Sequence, residues 1–232
     1  MCGRYAIFGP VSRKNREALE FLEQQLDFAA TYNAAPTQQL PVFRVSRRRG
    51  RELTPLHWGL VPYWAKSAAI GAKMINARAD TLAGKPAFRE AFGRRHCLVP
   101  MSGFYEWRKV GAGKVPYFVH LLNAEIFAAA GLYEFWPGKD GAAAIESFTI
   151  ITTEANELMR PLHDRMPVIL HAADYEAWLE PGEQDKATLE ALLAPYPAEE
   201  MRAYPVRPLV NSAQNDGPQL VQGAEDPGGT LF

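Results

Sequence analysis

Cysteine is scarce in this sequence. Only Cys2 and Cys97 occur among its 232 residues, which excludes a disulfide framework and a four-cysteine zinc site. The five histidines are not at spacings typical of metal ligands. We therefore predict no bound metal and no other cofactor.

Long apolar runs and a charge excess are also missing. No run approaches the roughly 20 apolar residues of a membrane-spanning helix. Basic residues such as Arg4 and Arg13 interrupt any signal-peptide core. We expect a soluble protein in the reducing cytoplasm, with no membrane partner. The net charge of −1 excludes a surface coated in positive charge, but it is compatible with a local basic groove for nucleic acid.

Short β-rich segments dominate the pattern, and no glycine-rich phosphate loop of the P-loop or dinucleotide type occurs. Strands are predicted over residues 4–9, 39–45, 53–60, 117–122, 126–133, 147–153 and 204–210. Helices are predicted over residues 13–28, around 88–92, over 155–159 and as two short pieces within 174–193. This pattern predicts one α+β domain with an antiparallel or mixed sheet. Residues 222–232 are rich in glycine and acidic residues, which predicts a disordered tail after a domain of residues 1–221.

The first five residues, MCGRY, contain the most distinctive chemistry. If Met1 is removed, Cys2 carries a thiol and a primary α-amine on one residue. The ordinary pKa values of these groups lie near 8.5 and about 7.7–8.0. Such a residue can attack an acyl group, or it can condense with an aldehyde to form a Schiff base and then a thiazolidine. The alternative is a small buried residue at the start of the first strand.

Polar side chains in two later segments could assist this chemistry. Asn76 and Arg78 alternate with apolar residues, so on a strand they would share a face and could bind an anion. Glu106 lies between aromatic residues on a predicted strand, where desolvation would suit it for acid–base catalysis. The alternative for Glu106 is a structural salt bridge with Arg78 or Arg108.

A histidine within the motif HDRMP is the best candidate for a further general acid or base. The ordinary pKa of the His163 imidazole lies in the working range, and Asp164 or Glu106 could orient it. The alternative is an ordinary surface histidine. Cys97, in contrast, lies in an apolar run and is predicted to be a core thiol.

Two segments could contact nucleic acid. A run of arginines from Arg44 to Arg51 is interpreted as a solvated hairpin tip, although it could contact phosphates. Trp58 is predicted to lie in the core. Trp64, next to Pro62 and Lys66, is equally compatible with a core position and with a platform for an unstacked base.

Six sequence blocks in this order resemble the SRAP family, the SOS-response-associated peptidases. The blocks are MCGRY (1–5), YNAAPT (32–37), WGLVPYW (58–64), NARA (76–79), GFYEW (103–107) and HDRMP (163–167). The resemblance implies a single α+β domain around a barrel-like, mostly antiparallel β-sheet. It also implies binding of single-stranded DNA and covalent capture of abasic sites as a thiazolidine, which shields the lesion in the DNA damage response.

The resemblance also implies roles for individual residues. The catalytic residues would be Cys2 as nucleophile, Asn76 holding the cysteine amine or the sugar, Glu106 as proton shuttle and His163 assisting sugar-ring opening and reversal of the adduct. The residues that contact DNA would be Arg4, Asn33, Pro36, Trp64 and Arg78. We expect a monomer that associates with the nucleoid when it is bound to DNA.

Two alternative functions are also compatible with the sequence. One is an N-terminal-cysteine thiol peptidase, which could act only on itself by removing Met1, with His163 as the base. The other is a non-catalytic module that binds single-stranded DNA and uses Cys2 structurally. The aldehyde-capture interpretation is preferred because it uses the amine as well as the sulfur.

Overall fold

The computed structural model describes residues 2–8, 29–46 and 50–229. The strands in this part of the chain are β1 (Tyr5–Ile7), β2 (Thr31–Ala34), β3 (Gln39–Ser46), β4 (Gly50–Trp58), β5 (Asn76–Arg78), β6 (His96–Met101), β7 (Gly103–Val110), β8 (Gly113–Leu121), β9 (Phe127–Trp136), β10 (Ile145–Glu154), β11 (Arg165–Pro167) and β12 (Met201–Pro205). The α-helices are α1 (Arg89–Arg94), α2 (Tyr175–Leu179) and α3 (Lys186–Ala191). The helix predicted over residues 13–28 lies outside the described residues.

The strands of the described residues form two β-sheets. The first is antiparallel, with the strand order β12-β8-β7-β1-β2. In the second, β10, β4, β3, β6 and β9 pair in succession, and β9 pairs again with β10, which closes a ring. The pairs of β10 with β4 and with β5 are parallel. The predicted α+β domain with a barrel-like, mostly antiparallel sheet is thus confirmed.

Aromatic side chains join the two sheets. Tyr5 of the first sheet lies 5.2 Å from Trp58 of the ring, measured between ring centroids, and Trp58 stacks on Phe148 at 6.2 Å. All three are fully buried, which confirms the predicted core position of Trp58. Burial of these three aromatic rings contributes strongly to the stability of the fold. This contact holds the N-terminal segment against the ring, and the segment includes Cys2.

One predicted helix is wrong, and one predicted strand has different bounds. Residues 155–159 form a turn rather than a helix: Thr153 remains in β10, and the Asn156 side chain accepts the backbone N–H of Met159 at 3.0 Å. The strand predicted over 204–210 ends at Pro205, and a 3-10 turn follows over Pro208–Asn211. Prolines have no N–H to donate to a strand ladder.

The predicted hairpin of arginines exists, since β3 and β4 pair in register, but Arg44 does not belong to a solvated tip. Its side chain is buried, with ion pairs of 2.8 Å to Glu52 and 2.7 Å to Glu146. It also lies over the Tyr133 ring at 4.9 Å. The tip itself, residues 47–49, lies outside the described residues.

The predicted tail is placed on the domain over residues 222–229. Gly223 bridges to Val206, and Ala224 donates its N–H to the carbonyl of Pro205 at 2.8 Å. Asp226 forms an ion pair of 3.2 Å with Arg108 on β7. Over these residues the chain therefore makes defined contacts, although the composition of the segment predicted disorder.

Candidate active site

Cys2 is the centre of the site. It is fully buried in the core cluster shared by the two sheets. The side-chain amide of Asn76 donates a 2.9 Å hydrogen bond to the Cys2 backbone carbonyl. Asn76 begins β5 opposite Ile150 of β10, and Trp58 fixes the preceding residue by donating its indole N–H to the carbonyl of Ile75 at 3.0 Å. The parallel β5–β10 pair thus positions the amide that holds Cys2.

A buried carboxylate acts on the same cysteine. Glu106 is 3% exposed on β7, as its position between aromatics predicts. The pKa of the Cys2 thiol is raised strongly, first by burial and then by the negative charge of Glu106. At neutral pH the thiol is therefore protonated. The ion pairs of Arg78 and Arg108, the two proposed salt-bridge partners, go to Asp80 and Asp226.

His163 lies in the segment just before β11 and is about one third exposed. Its Nδ1 atom is 3.0 Å from the backbone nitrogen of Arg165 and 2.8 Å from Oδ1 of Asp164. Nδ1 can accept the N–H of Arg165 only when it carries no proton, and it can donate to Asp164 only when it carries one. The position of the ring proton, on Nδ1 or on Nε2, thus decides which of the two contacts is a hydrogen bond.

Arg4 and Asn33 form a unit with the chain beyond β12. The guanidinium of Arg4 donates to the carbonyl of Val210 at 2.9 Å and to Asn33 Oδ1 at 3.3 Å. Asn33 is buried and its amide donates to the carbonyls of Ser212 and Asn215, both at 2.8 Å. Asn33 thus supports the position of Arg4, and its contact with DNA stays a prediction. Burial lowers the pKa of Arg4.

A second arginine, which sequence reasoning did not single out, lies near Arg78. Arg78 is half exposed and pairs with Asp80 at 2.7 Å, while Arg165 lies 3.5 Å from the same carboxylate. Asp80 raises the pKa of Arg78, and both arginines line an open cleft of about 590 Å³. An arginine two positions after the candidate histidine was the available signal for Arg165.

Two exposed aromatic residues, Tyr63 and Trp64, are adjacent in the segment after β4. Trp64 is 43% exposed and Tyr63 is 49% exposed. The Trp64 indole N–H is 3.5 Å from the carbonyl of Pro86. Pro36 is half-buried at the turn after β2, where Thr37 has a φ of 74°. Of the positions predicted to stack on bases, Trp64 is thus accessible, and Tyr63 adds a neighbouring ring.

The described residues lack two features, a cluster of metal ligands and a membrane-spanning helix. Over residues 2–8, 29–46 and 50–229, no three His, Cys, Asp or Glu side chains are grouped so that they could hold a metal ion. In the same part of the chain, no helix has the length and apolar character needed to span a membrane. Cys97 is fully buried in the core, as predicted.

The fold and these side chains define an α+β protein with a cysteine-centred site. A family model described as SOS response associated peptidase (SRAP) matches residues 1–213, and the chain belongs to this family. The resemblance noted in the sequence is thereby confirmed.

Named relatives and solved structures agree with this assignment. "Abasic site processing protein YoqW" of Bacillus subtilis (strain 168) is 41% identical over 227 residues, covering 96% of this chain and 99% of the relative. "Abasic site processing protein HMCES" of Gallus gallus is 32% identical over 84% of this chain and 66% of the relative. A crystal structure of a Bacteroides thetaiotaomicron protein matches with a TM-score of 0.84 and 32% identity, covering 97% of this chain and all of the other.

Proposed function

We propose that this protein processes abasic sites in DNA by binding single-stranded DNA and capturing the sugar aldehyde covalently through Cys2. The observation that carries the proposal is the convergence on Cys2 of two groups from distant strands. Asn76 holds the Cys2 carbonyl, and the charge of Glu106 acts on its thiol. The names of the relatives support the substrate class.

The proposed reaction starts at the amine. After Met1 is removed, the neutral α-amine of Cys2 attacks the aldehyde carbon of the ring-opened abasic site and gives a carbinolamine. Loss of water gives an iminium ion. The sulfur then attacks the same carbon, the thiol proton passes to a base, and a five-membered thiazolidine closes. The net change is the formation of one C–N and one C–S bond with loss of one water molecule.

Three side chains are assigned to separate tasks. Asn76 fixes the Cys2 main chain, so that the amine keeps one orientation toward the aldehyde. Glu106 donates a proton to the departing hydroxyl as an acid, and as a base it accepts the proton of the thiol. His163, whose Nδ1 lies beside Asp164 and the backbone nitrogen of Arg165, assists opening of the sugar ring and reversal of the adduct.

The state of the thiol favours an amine-first reaction over thiol peptidase chemistry. A cysteine peptidase needs a thiolate, which a lowered pKa supplies. Here burial and Glu106 raise the pKa of the Cys2 thiol. A protonated thiol is compatible with amine attack first, since the sulfur is needed only after the iminium ion has formed.

DNA binding is assigned to the charged and aromatic groups around the site. Arg4, Arg78 and Arg165 would contact backbone phosphates, while Tyr63 and Trp64 would stack on bases. Phosphate contacts make affinity salt-dependent, and stacking makes it largely independent of sequence. A monomer suffices for these contacts.

The test is incubation with single-stranded DNA that contains one abasic site, followed by a denaturing gel. The proposal predicts a shifted band for the native chain and for Cys97→Ala, which keeps Cys2 but removes the second thiol. Cys2→Ala should give no band while it still binds undamaged strand. A band of equal intensity with Cys2→Ala would refute the assigned nucleophile.

A further inference from the structure

The face of β7 that carries Glu106 also carries Arg108. Residues two apart on a strand point to the same side, so these side chains are neighbours on the face that includes buried Phe104. Tyr117 on β8 lies directly opposite Glu106 in the register of the two strands. Tyr5 on β1 lies opposite Phe104 and so faces the same side. Among the described residues, the titratable and charged groups on this face thus include Glu106, Arg108, Tyr117 and Tyr5, with the Cys2 thiol near Glu106.

The guanidinium of Arg108 is held by the chain that follows β12. Its Nη1 atom lies 3.2 Å from Oδ2 of Asp226 and 3.2 Å from the carbonyl of Gly229. The same atom is 3.2 Å from the Tyr117 hydroxyl, and that hydroxyl also donates to Asp226. Asp226 is only 10% exposed and Arg108 only 18%, so solvent screens this ion pair less than a surface pair.

The segment with Asp226 is placed by its own contacts. Asp226 Oδ1 accepts the N–H of Gly228 at 2.9 Å. A Cβ atom at Gly228 would lie 3.2 Å from Arg108 Nη1 and 3.1 Å from a Val110 methyl, so the absence of a side chain lets the backbone approach Arg108. The segment thus presents one carboxylate to one arginine.

We propose that Asp226 is a positioning residue: it holds Arg108 toward the C-terminal segment and thereby keeps this guanidinium from pairing with Glu106. The inference rests on the acid–base role of Glu106 in the proposed function. A guanidinium beside a carboxylate stabilises the charged form. Such a pair would make Glu106 a poorer proton donor and acceptor near neutral pH. Asp226 acts through Arg108 and touches no reacting atom.

The test compares the full-length protein with Asp226→Asn, Asp226→Asn/Arg108→Gln and, as a matched control in the same segment, Glu225→Gln, which alters an exposed carboxylate. The rate of adduct formation is measured from pH 5 to 9, together with binding of undamaged strand. For Asp226→Asn we expect the acidic limb of the profile to move down by about one pH unit with unchanged binding. The double variant and Glu225→Gln should have the native profile.

Three outcomes would overturn the inference. These are a native profile for Asp226→Asn, a loss that is equal at every pH, and a shift that the second substitution does not reverse. A readout independent of the reaction is the NMR titration of the Glu106 carboxyl carbon, whose midpoint should fall in Asp226→Asn and return in the double variant. If the native protein forms no adduct, the proposed function fails, and the titration still decides whether Asp226 controls Glu106.

Discussion

The side-chain amide of Asn76 holds the backbone carbonyl of Cys2 at 2.9 Å. The two residues are 74 positions apart, and each belongs to a different part of the sheet structure. The contact connects the segment preceding β1 to the strand that pairs with β10. It fixes the main chain of the residue whose amine and sulfur are assigned to the reaction.

Replacing Asn76 by alanine should slow adduct formation by about tenfold or more. The substitution leaves the carbonyl of fully buried Cys2 without this donor. Such a loss costs about 1–3 kcal/mol, and about 1.4 kcal/mol corresponds to a factor of ten in rate. Single-turnover kinetics with abasic single-stranded DNA would measure this effect. Affinity for undamaged strand should stay the same, and a native rate in Asn76→Ala would show that the contact is dispensable.

Glu106→Gln should reduce the rate of adduct formation much more than it reduces binding. The substitution keeps the shape of the side chain but removes its proton-transfer capacity, which is typically worth about 10²–10⁴ in rate. The rate and the affinity for undamaged strand can be measured on the same preparation. Equal losses in both would indicate that Glu106 is a structural residue.

Trp64→Ala should weaken binding of undamaged single-stranded DNA about tenfold, because stacking of one base on an aromatic ring is worth about 1–3 kcal/mol. Fluorescence anisotropy with a labelled oligonucleotide would measure the affinity. Phe135→Ala is the matched control, since Phe135 is 51% exposed and lies outside the proposed site. Equal effects of the two substitutions would remove Trp64 from the DNA-binding surface.

Stability should fall at acidic pH because of His96. This side chain is buried against Trp178, with ring centroids 4.5 Å apart. Burial lowers its pKa from 6.5 to about 4. The unfolded chain therefore binds a proton between these pH values when the folded chain does not, so stability is lost as pH falls through this window. At about 1.4 kcal/mol per pKa unit, the contribution is about 3 kcal/mol.

Urea unfolding at pH 7 and pH 4 would measure the effect of His96. His96→Gln should be less stable than the native chain at pH 7, because it loses the packing on Trp178. It should also lose less stability on acidification, by about 3 kcal/mol. A variant with the same pH dependence as the native chain would contradict this account.

Local patterns in the sequence predicted individual strands well. The way in which the strands join into sheets depends on pairing between distant segments, which local patterns do not predict. The strand with Glu106 was predictable because bulky aromatic residues flank the carboxylate there, and the core position of Trp58 was predicted and confirmed. The closure of the ring between β9 and β10 depends on pairing across the fold. Composition or spacing could not establish that closure, and the resemblance to a family supplied it.

Charged residues were the least predictable. A run of arginines indicated a solvated tip, yet the direction of each side chain depends on strand register, which placed Arg44 between two glutamates. In the same way, nothing local in the sequence pairs the carboxylate of Asp226 with Arg108, which is 118 residues away. For the candidate site, the residue types were predictable, but the contacts between them were not.

The measurement that tests the central claim most directly is the intact mass of the product formed with DNA containing one abasic site. The account predicts the mass of the chain without Met1 plus that of the DNA, less one water molecule, with the modification located on Cys2. It would be contradicted by a protein that lacks Met1 and binds the strand, yet retains its own mass after incubation with the lesion.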